Sequence, residues 1–172
     1  MTDHQRITLG LMRHGEAEIG KKLEKDIDRP LSEKGRFGAK IIGTILPDYV
    51  SGPLTIICSP AQRTRQTLDA LCLKSSISLK FIDKLYYGNF DDYISLITTI
   101  SQDGVPLLVI GHNPAISQVV TQLNNNCLPV ASLPRFLQPA NLALFDFPIA
   151  KNRISIGRGN FIALLKPRTG LV

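Results

Sequence analysis

Tryptophan is absent, and aromatic residues make up only 6% of the chain. A nucleic-acid surface built from basic residues interleaved with stacking rings therefore has no support beyond charge. Cysteine is scarce as well. Cys58, Cys72 and Cys127 are odd in number and scattered, with no metal-ligand or redox spacing. Cys58 ends the apolar run Thr55-Ile56-Ile57-Cys58, and Cys72 falls on the expected buried face of a helix. Both read as small core residues, and a reducing cytoplasm fits them. No apolar stretch is long enough to span a bilayer. The opening Met1-Thr2-Asp3-His4-Gln5-Arg6 has no apolar segment, so no secretory signal and no membrane attachment are expected. His4 reads as a terminal residue without a role. Internal repeats, linkers and low-complexity segments are lacking too.

What is present is an ordinary globular composition, with 44% hydrophobic residues in 172. That length predicts one domain over 1–172, large enough to bury a core. The formal net charge of +6 favours anionic partners, phosphates among them. Lys21, Lys22 and Lys25 cluster in one polar loop, where they read as a solvated face.

Strand-like apolar runs alternate with helical patterns. Residues 6–12 predict a first strand, 54–58 a second, 77–82 a third and 106–110 a fourth. Residues 142–147 and 160–165 predict two final strands joined by a short polar connection, which favours an antiparallel hairpin. Ser32 can cap a helix whose apolar face is Phe37, Ile41, Ile42 and Ile45, with Pro47 stopping it. Ser59-Pro60 reads as the start of a helix that buries Thr64, Leu68, Leu71 and Cys72. Tyr93, Leu96, Ile97 and Ile100 share a helical face, with Asp91 or Asp92 as cap. Asn113-Pro114 opens a helix with the stripe Ile116, Val119, Val120 and Leu123. Phe136, Phe145 and Phe147 read as core or edge packing. The expected fold is a three-layer α/β domain: a mostly parallel sheet, helices on both faces, and antiparallel C-terminal edge strands.

In such sheets ligands bind at the carboxyl ends of the strands. Arg13-His14-Gly15-Glu16 leaves the first strand there. Arg63 and His112 map to the same edge from distant parts of the sequence. A neutral imidazole can attack phosphorus, and guanidinium groups can hold phosphate oxygens through paired hydrogen bonds. Phosphoryl transfer to an imidazole needs a free lone pair, with the other ring nitrogen held by an acceptor. It also needs cationic or N–H donors around the non-bridging oxygens. His14 can supply the nucleophile; Arg13, Arg63 and a protonated or N–H-donating His112 can supply the donors. No carboxylate cluster suggests a metal, so no cofactor is expected and the positive charge falls to side chains.

Four segments, in order, resemble the histidine phosphatase (phosphoglycerate-mutase-like) superfamily. They are Leu11-Met12-Arg13-His14-Gly15-Glu16-Ala17, Asp28-Arg29-Pro30-Leu31-Ser32-Glu33-Lys34-Gly35, Cys58-Ser59-Pro60-Ala61-Gln62-Arg63-Thr64-Arg65-Gln66-Thr67 and Val109-Ile110-Gly111-His112-Asn113-Pro114. The resemblance implies that His14 becomes transiently phosphorylated in a pocket formed by Arg13, Arg63 and His112. Arg29 and Asn113 join them as substrate-binding candidates, although Arg29 equally reads as a loop residue packed beside Pro30. Thr64 stands where an alanine is common in the family, and Arg65 reads as a rim charge. The short chain and Gly-His-Asn-Pro look most like the SixA-type phosphohistidine phosphatases.

One departure concerns the proton donor. Many members carry a glutamate shortly after the third strand; here the comparable position is Lys84, with Asp83 beside it. An alkoxide leaving group benefits greatly from an acid. A phosphohistidine can carry a proton on its other ring nitrogen and leave as neutral imidazole. The expected activity is therefore removal of phosphate from phosphohistidine, on a partner such as a histidine phosphotransfer domain. A broad phosphomonoesterase acting on small phosphorylated substrates and a catalytically weak phosphoprotein-binding module are the alternatives.

Overall fold

The computed structural model describes residues 6–20, 25–100, 105–125, 133–150, 153–154 and 159–167. Its strands are β1 (Arg6–Arg13), β2 (Leu54–Cys58), β3 (Ile77–Phe81), β4 (Leu107–Gly111), β5 (Leu142–Ala150), β6 (Arg153–Ile154) and β7 (Asn160–Leu165). Its α-helices are α1 (Glu33–Ile45), α2 (Gln62–Leu71), α3 (Lys84–Tyr87), α4 (Phe90–Ile100) and α5 (Ala115–Asn125). The sheet order is β3-β2-β4-β1-β5-β6, with β7 also paired to β5. β1 to β4 run parallel, and β5 runs antiparallel to β1, β6 and β7. The mixed α/β sheet expected from the sequence is therefore present. The expected final hairpin has an extra element, since β6 pairs with the end of β5 before β7 returns along its start.

Alternation along each strand divides the core between two layers. Leu9, Leu11, Ile57, Val109, Phe145 and Phe147 pack against Tyr93, Ile97, Ile116, Val119, Val120 and Leu123 of α4 and α5. Met12, Ile56, Cys58, Leu108, Ile110 and Leu144 face the other way, onto Ala39, Ile42 and Leu71 of α1 and α2. β1 and β4 are buried along nearly their whole length because both faces are covered. The edge strand β3 is exposed throughout, so its sequence pattern reports a strand but not a core.

Helix boundaries correct several expectations. Ser32 does cap α1, accepting from the Gly35 N–H at 3.0 Å. The buried face of α1 is Gly35, Gly38, Ala39 and Ile42, while Phe37 is 57% exposed. Small residues win that face because α1 lies close to neighbouring backbone. A Cβ on Gly35 would meet the Glu16 carbonyl oxygen at 2.1 Å. α2 begins at Gln62 rather than at Ser59-Pro60, and Cys72 is exposed in a left-handed conformation at its end. Cys127 and His4 lie outside the described residues. In α4, neither Asp91 nor Asp92 is the cap itself. Asn89 Oδ1 accepts from Asp92 N–H, and Asp92 Oδ2 accepts from Asn89 N–H, a reciprocal capping box. Phe136 is exposed beside the Arg135 guanidinium, whereas Phe145 and Phe147 are core residues. Among the described residues no helix is long and apolar enough to cross a membrane.

Candidate active site

Register brings the sequence-distant residues together. β1 and β4 are paired so that Arg13 faces Gly111, and β2 pairs with β4 at Cys58 and Ile110. The next residue of each strand, His14, His112 and Ser59, therefore emerges at one edge. Backbone bonds fix these exits: His14 N–H donates to Gly111 C=O at 3.2 Å, and Ser59 N–H donates to Ile110 C=O at 3.0 Å. The two imidazole rings lie 5.0 Å apart between centroids. They share an open cavity of about 300 Å³ with Arg13, Arg29, Arg63, Asn113, Glu16, Ala17 and Pro139.

His14 Nδ1 lies 2.6 Å from the Gly15 carbonyl oxygen. A carbonyl only accepts, so Nδ1 carries the proton and the lone pair resides on Nε2. Burial pulls the His14 pKa down to about 4, opposed by the Gly15 carbonyl and aided by the charges of Arg63, Arg13 and Arg29. The loop that carries it is clamped. Gly15 N–H donates to Thr67 Oγ1 at 2.9 Å, and Thr67 Oγ1 donates to the Arg63 carbonyl at 2.7 Å. One threonine thus joins the loop after β1 to the helix that carries Arg63.

His112 rests on two hydroxyls. Its Nε2 lies 2.8 Å from Ser59 Oγ. Its backbone N–H donates to Tyr93 Oη at 3.1 Å, and that hydroxyl donates to the Leu85 carbonyl at 2.6 Å. Gly111 permits this contact, since a Cβ there would stand 2.3 Å from Tyr93 Oη. Burial, with the positive fields of His14, Arg63 and Arg13, holds the His112 pKa down at about 3. The ring is neutral near neutrality, so a protonated His112 is not its resting state. His112 Nδ1 and Arg13 Nε are buried without a protein partner. Native interiors rarely leave such groups unsatisfied, so these two atoms set this edge of the site apart from an ordinary core. Arg13 is steadied by donating from Nη1 to Leu137 C=O at 2.8 Å.

Arg63 is 7% exposed and reaches the cavity from α2. Its Nη1 donates to Asp26 C=O at 2.6 Å, and its Nη2 donates to Asp26 Oδ2 at 2.9 Å. Arg29 also lines the cavity, donating to Asp26 Oδ1 at 3.0 Å and to Glu18 C=O at 2.8 Å. This favours the cavity placement over simple packing beside Pro30. Burial would raise the Asp26 carboxyl, but hydrogen bonds from Arg29 and Arg63 outweigh it and hold the pKa at about 2. Asn113 lines the cavity, and its side chain bonds to Leu137 and Ser117 rather than capping α5. Its Nδ2 donates to Leu137 C=O at 3.1 Å, and its Oδ1 accepts from Ser117 Oγ.

Other expectations separate from the site. Arg65 turns outward, donating to Pro60 C=O and lying 4.2 Å over the Phe81 ring. Asp83 is exposed just before α3 and is no wall of the cavity; Lys84 pairs with Asp92 at 3.2 Å. Glu16 is a wall, but its carboxylate is paired with Lys34 at 2.7 Å. Ser59, Thr67, Asp26, Tyr86 and Tyr93 are the site-building residues that sequence reasoning passed over. Ser59 was legible only as a helix cap, yet its hydroxyl meets His112 because α2 starts later.

A profile of the Histidine phosphatase superfamily (branch 1) matches residues 9–103. The chain belongs to that superfamily. A candidate phosphohistidine phosphatase SixA from Nakamurella multipartitia is 27% identical, with TM-score 0.78 over 94% of this chain and 96% of its own. A candidate phosphohistidine phosphatase SixA from Agrobacterium tumefaciens is 30% identical, with TM-score 0.75 over 96% and 99%. An uncharacterized protein of Mycobacterium leprae is 28% identical over 67% of this chain and 72% of its own length. Superfamily membership and the SixA-like fold support phosphatase activity.

Proposed function

We propose that the protein is a phosphohistidine phosphatase working through a phosphohistidine enzyme intermediate. The observation that carries this reading is the state of His14. Its Nδ1–H is tied to a backbone carbonyl, its ring is neutral, and it shares a small cavity with Arg13, Arg63 and His112. Nε2 attacks phosphorus in line, forming an N–P bond as the substrate's P–N bond breaks. The departing histidine keeps the pair of electrons and leaves as neutral imidazole, its other nitrogen still protonated. Water then attacks phosphorus, the bond to His14 Nε2 breaks, and inorganic phosphate is released. Arg13, Arg63 and an N–H of His112 hold the non-bridging oxygens as charge shifts among them. Arg29 and Asn113 line the substrate's approach.

The preference for a phosphoramidate rests on the lack, among the described residues lining the cavity, of an unpaired acidic side chain. Glu16 is engaged by Lys34, and Asp83 stands outside the cavity. A substrate that carries its own proton loses little from that lack, whereas an alkyl ester loses much. The natural substrate in this reading is a histidine-phosphorylated signalling protein in the cytoplasm. A phosphohistidine peptide and alkyl phosphate esters, offered side by side with an alkaline trap for phosphoenzyme, test it. Faster turnover of the peptide with a trapped N–P intermediate is expected. Preference for esters would make the protein a phosphomonoesterase, and binding without turnover would make it a recognition module.

A further inference from the structure

Two arginines of the phosphate pocket are already engaged by an anion beside it. Asp26 receives both terminal nitrogens of Arg63, one on its carboxylate and one on its carbonyl, together with Nη1 of Arg29. Tyr86 Oη adds a fourth donor, to Asp26 Oδ2 at 3.0 Å. Paired N–H groups of arginine fit the oxygens of carboxylate and phosphate alike. The carboxylate therefore takes one terminal nitrogen from each of two arginines that a phosphoryl group would also use.

Two structural facts favour competition over simple support. Arg63 does not need Asp26 to fix its backbone, because its carbonyl is held by Thr67 and its stem is enclosed on α2. Asp26 itself sits in a short 3-10 turn, Asp26–Asp28, that buries no residue, and its side chain is half exposed. It can leave without opening the core. Arg13 offers the contrast: it is steadied by a neutral backbone carbonyl, with Nε left unpartnered.

We propose that Asp26 is a specificity-determining internal competitor: its carboxylate occupies the Arg63 and Arg29 donors in the resting site and is displaced by the substrate's phosphoryl group. A phosphoryl group brings more charge and a third oxygen, and it also meets Arg13 and His112, which the carboxylate does not. A singly charged ligand cannot make that exchange at a gain. Free phosphate must make it too, so Asp26 weakens product binding and hastens release. Tyr86 serves as the latch that holds the carboxylate in place. The inference rests on the phosphate pocket and stands apart from the identity of the leaving group.

Calorimetric titration of the whole protein with inorganic phosphate tests it without any substrate. Asp26→Asn keeps an acceptor on the exposed turn and removes the competing charge. Phosphate should bind about tenfold tighter, the scale set by losing one charged hydrogen-bond competitor. Tyr86→Phe keeps the carboxylate but removes its latch, and should tighten phosphate by a smaller factor. Unchanged or weaker binding in Asp26→Asn would overturn the competitor and make Asp26 a support for Arg63. A protein that binds no phosphate in either form would overturn it as well. Failure of the peptide assay leaves these binding outcomes intact, so the two readings fail separately.

Discussion

The floor and the rim of the cavity are built in opposite ways. On the floor, His14 and Arg13 are anchored to the main-chain carbonyls of Gly15 and Leu137, and His112 to the buried hydroxyls of Tyr93 and Ser59. The three residues they hold sit at the ends of the buried parallel strands β1 and β4, so their positions come with the fold. On the rim, Arg63, Arg29, Tyr86 and Asp26 hold one another largely through exposed side chains on a turn without buried residues. Bonds to a rigid frame cost no reorganisation during reaction, which suits groups that touch the reacting atoms. Bonds between exposed ionic groups exchange readily, which suits groups that admit and release a ligand.

The comparison is tested hardest at its two extremes. His14→Ala should abolish the alkali-stable intermediate and turnover, while inorganic phosphate still binds to the remaining cations. Persistence of a trapped phosphoenzyme in that variant would move the nucleophile elsewhere. Arg63→Ala should cost roughly a hundredfold or more in kcat, through lost charge stabilisation. Because Arg63 belongs to the rim by its bonds but to the floor by its burial, the variant also separates the two contributions. A large change in KM with kcat preserved would place it with the rim.

How much of this was legible in the sequence differs between the same two regions. The floor was readable because strand exits follow hydrophobic periodicity. Residues 6–12 and 106–110 are apolar runs ending at His14 and His112, and a parallel sheet aligns their ends. On the rim only the arginines, Arg63 and Arg29, were readable; Asp26 and Tyr86 were not, because their place depends on side-chain pairing across 37 residues from Asp26 to Arg63. Asp26 sits in a polar loop among Lys25 and Asp28, with no periodicity to single it out. Phe37 failed for a related reason. Its spacing fitted an apolar face, but close approach of α1 to the Glu16 backbone reserves that face for glycine and alanine. Cys72 failed because the helix ends one residue before it.

Acid should act on the floor before it protonates Asp26 on the rim, whose pKa is held at about 2. His14 must be neutral to attack, and its pKa lies at about 4 in the folded protein. Its nucleophilic form is thus complete near neutrality and is lost as pH falls through about 4. His112 follows at about 3. For stability the sign is the same. Both rings bind protons in the unfolded chain near the ordinary value of 6.5, above their folded values. Between those limits the unfolded chain holds more protons, so stability falls as pH drops from about 6.5. A pH profile of kcat/KM for the free enzyme, measured beside thermal unfolding, should show stability declining first. A nucleophile titrating near 6.5 would mean that His14 is not held as described.

The smallest expected effect isolates how much the frame itself contributes. Tyr93→Phe keeps the ring in its buried place on α4 and removes one hydroxyl. Leu85 C=O then loses a donor and His112 N–H loses an acceptor, in a region where Tyr93 is 1% exposed. Leaving such groups unpaired costs about 1–3 kcal/mol of stability. His112 does not lose its side-chain partner Ser59, so the phosphate pocket keeps all its donors. The expected result is a lower melting temperature with kcat reduced only severalfold and phosphate affinity nearly unchanged. If phosphate affinity instead fell as far as in Arg63→Ala, the floor would owe its order to that single hydroxyl rather than to strand register. The distinction between a frame-built floor and an exchangeable rim would then fail.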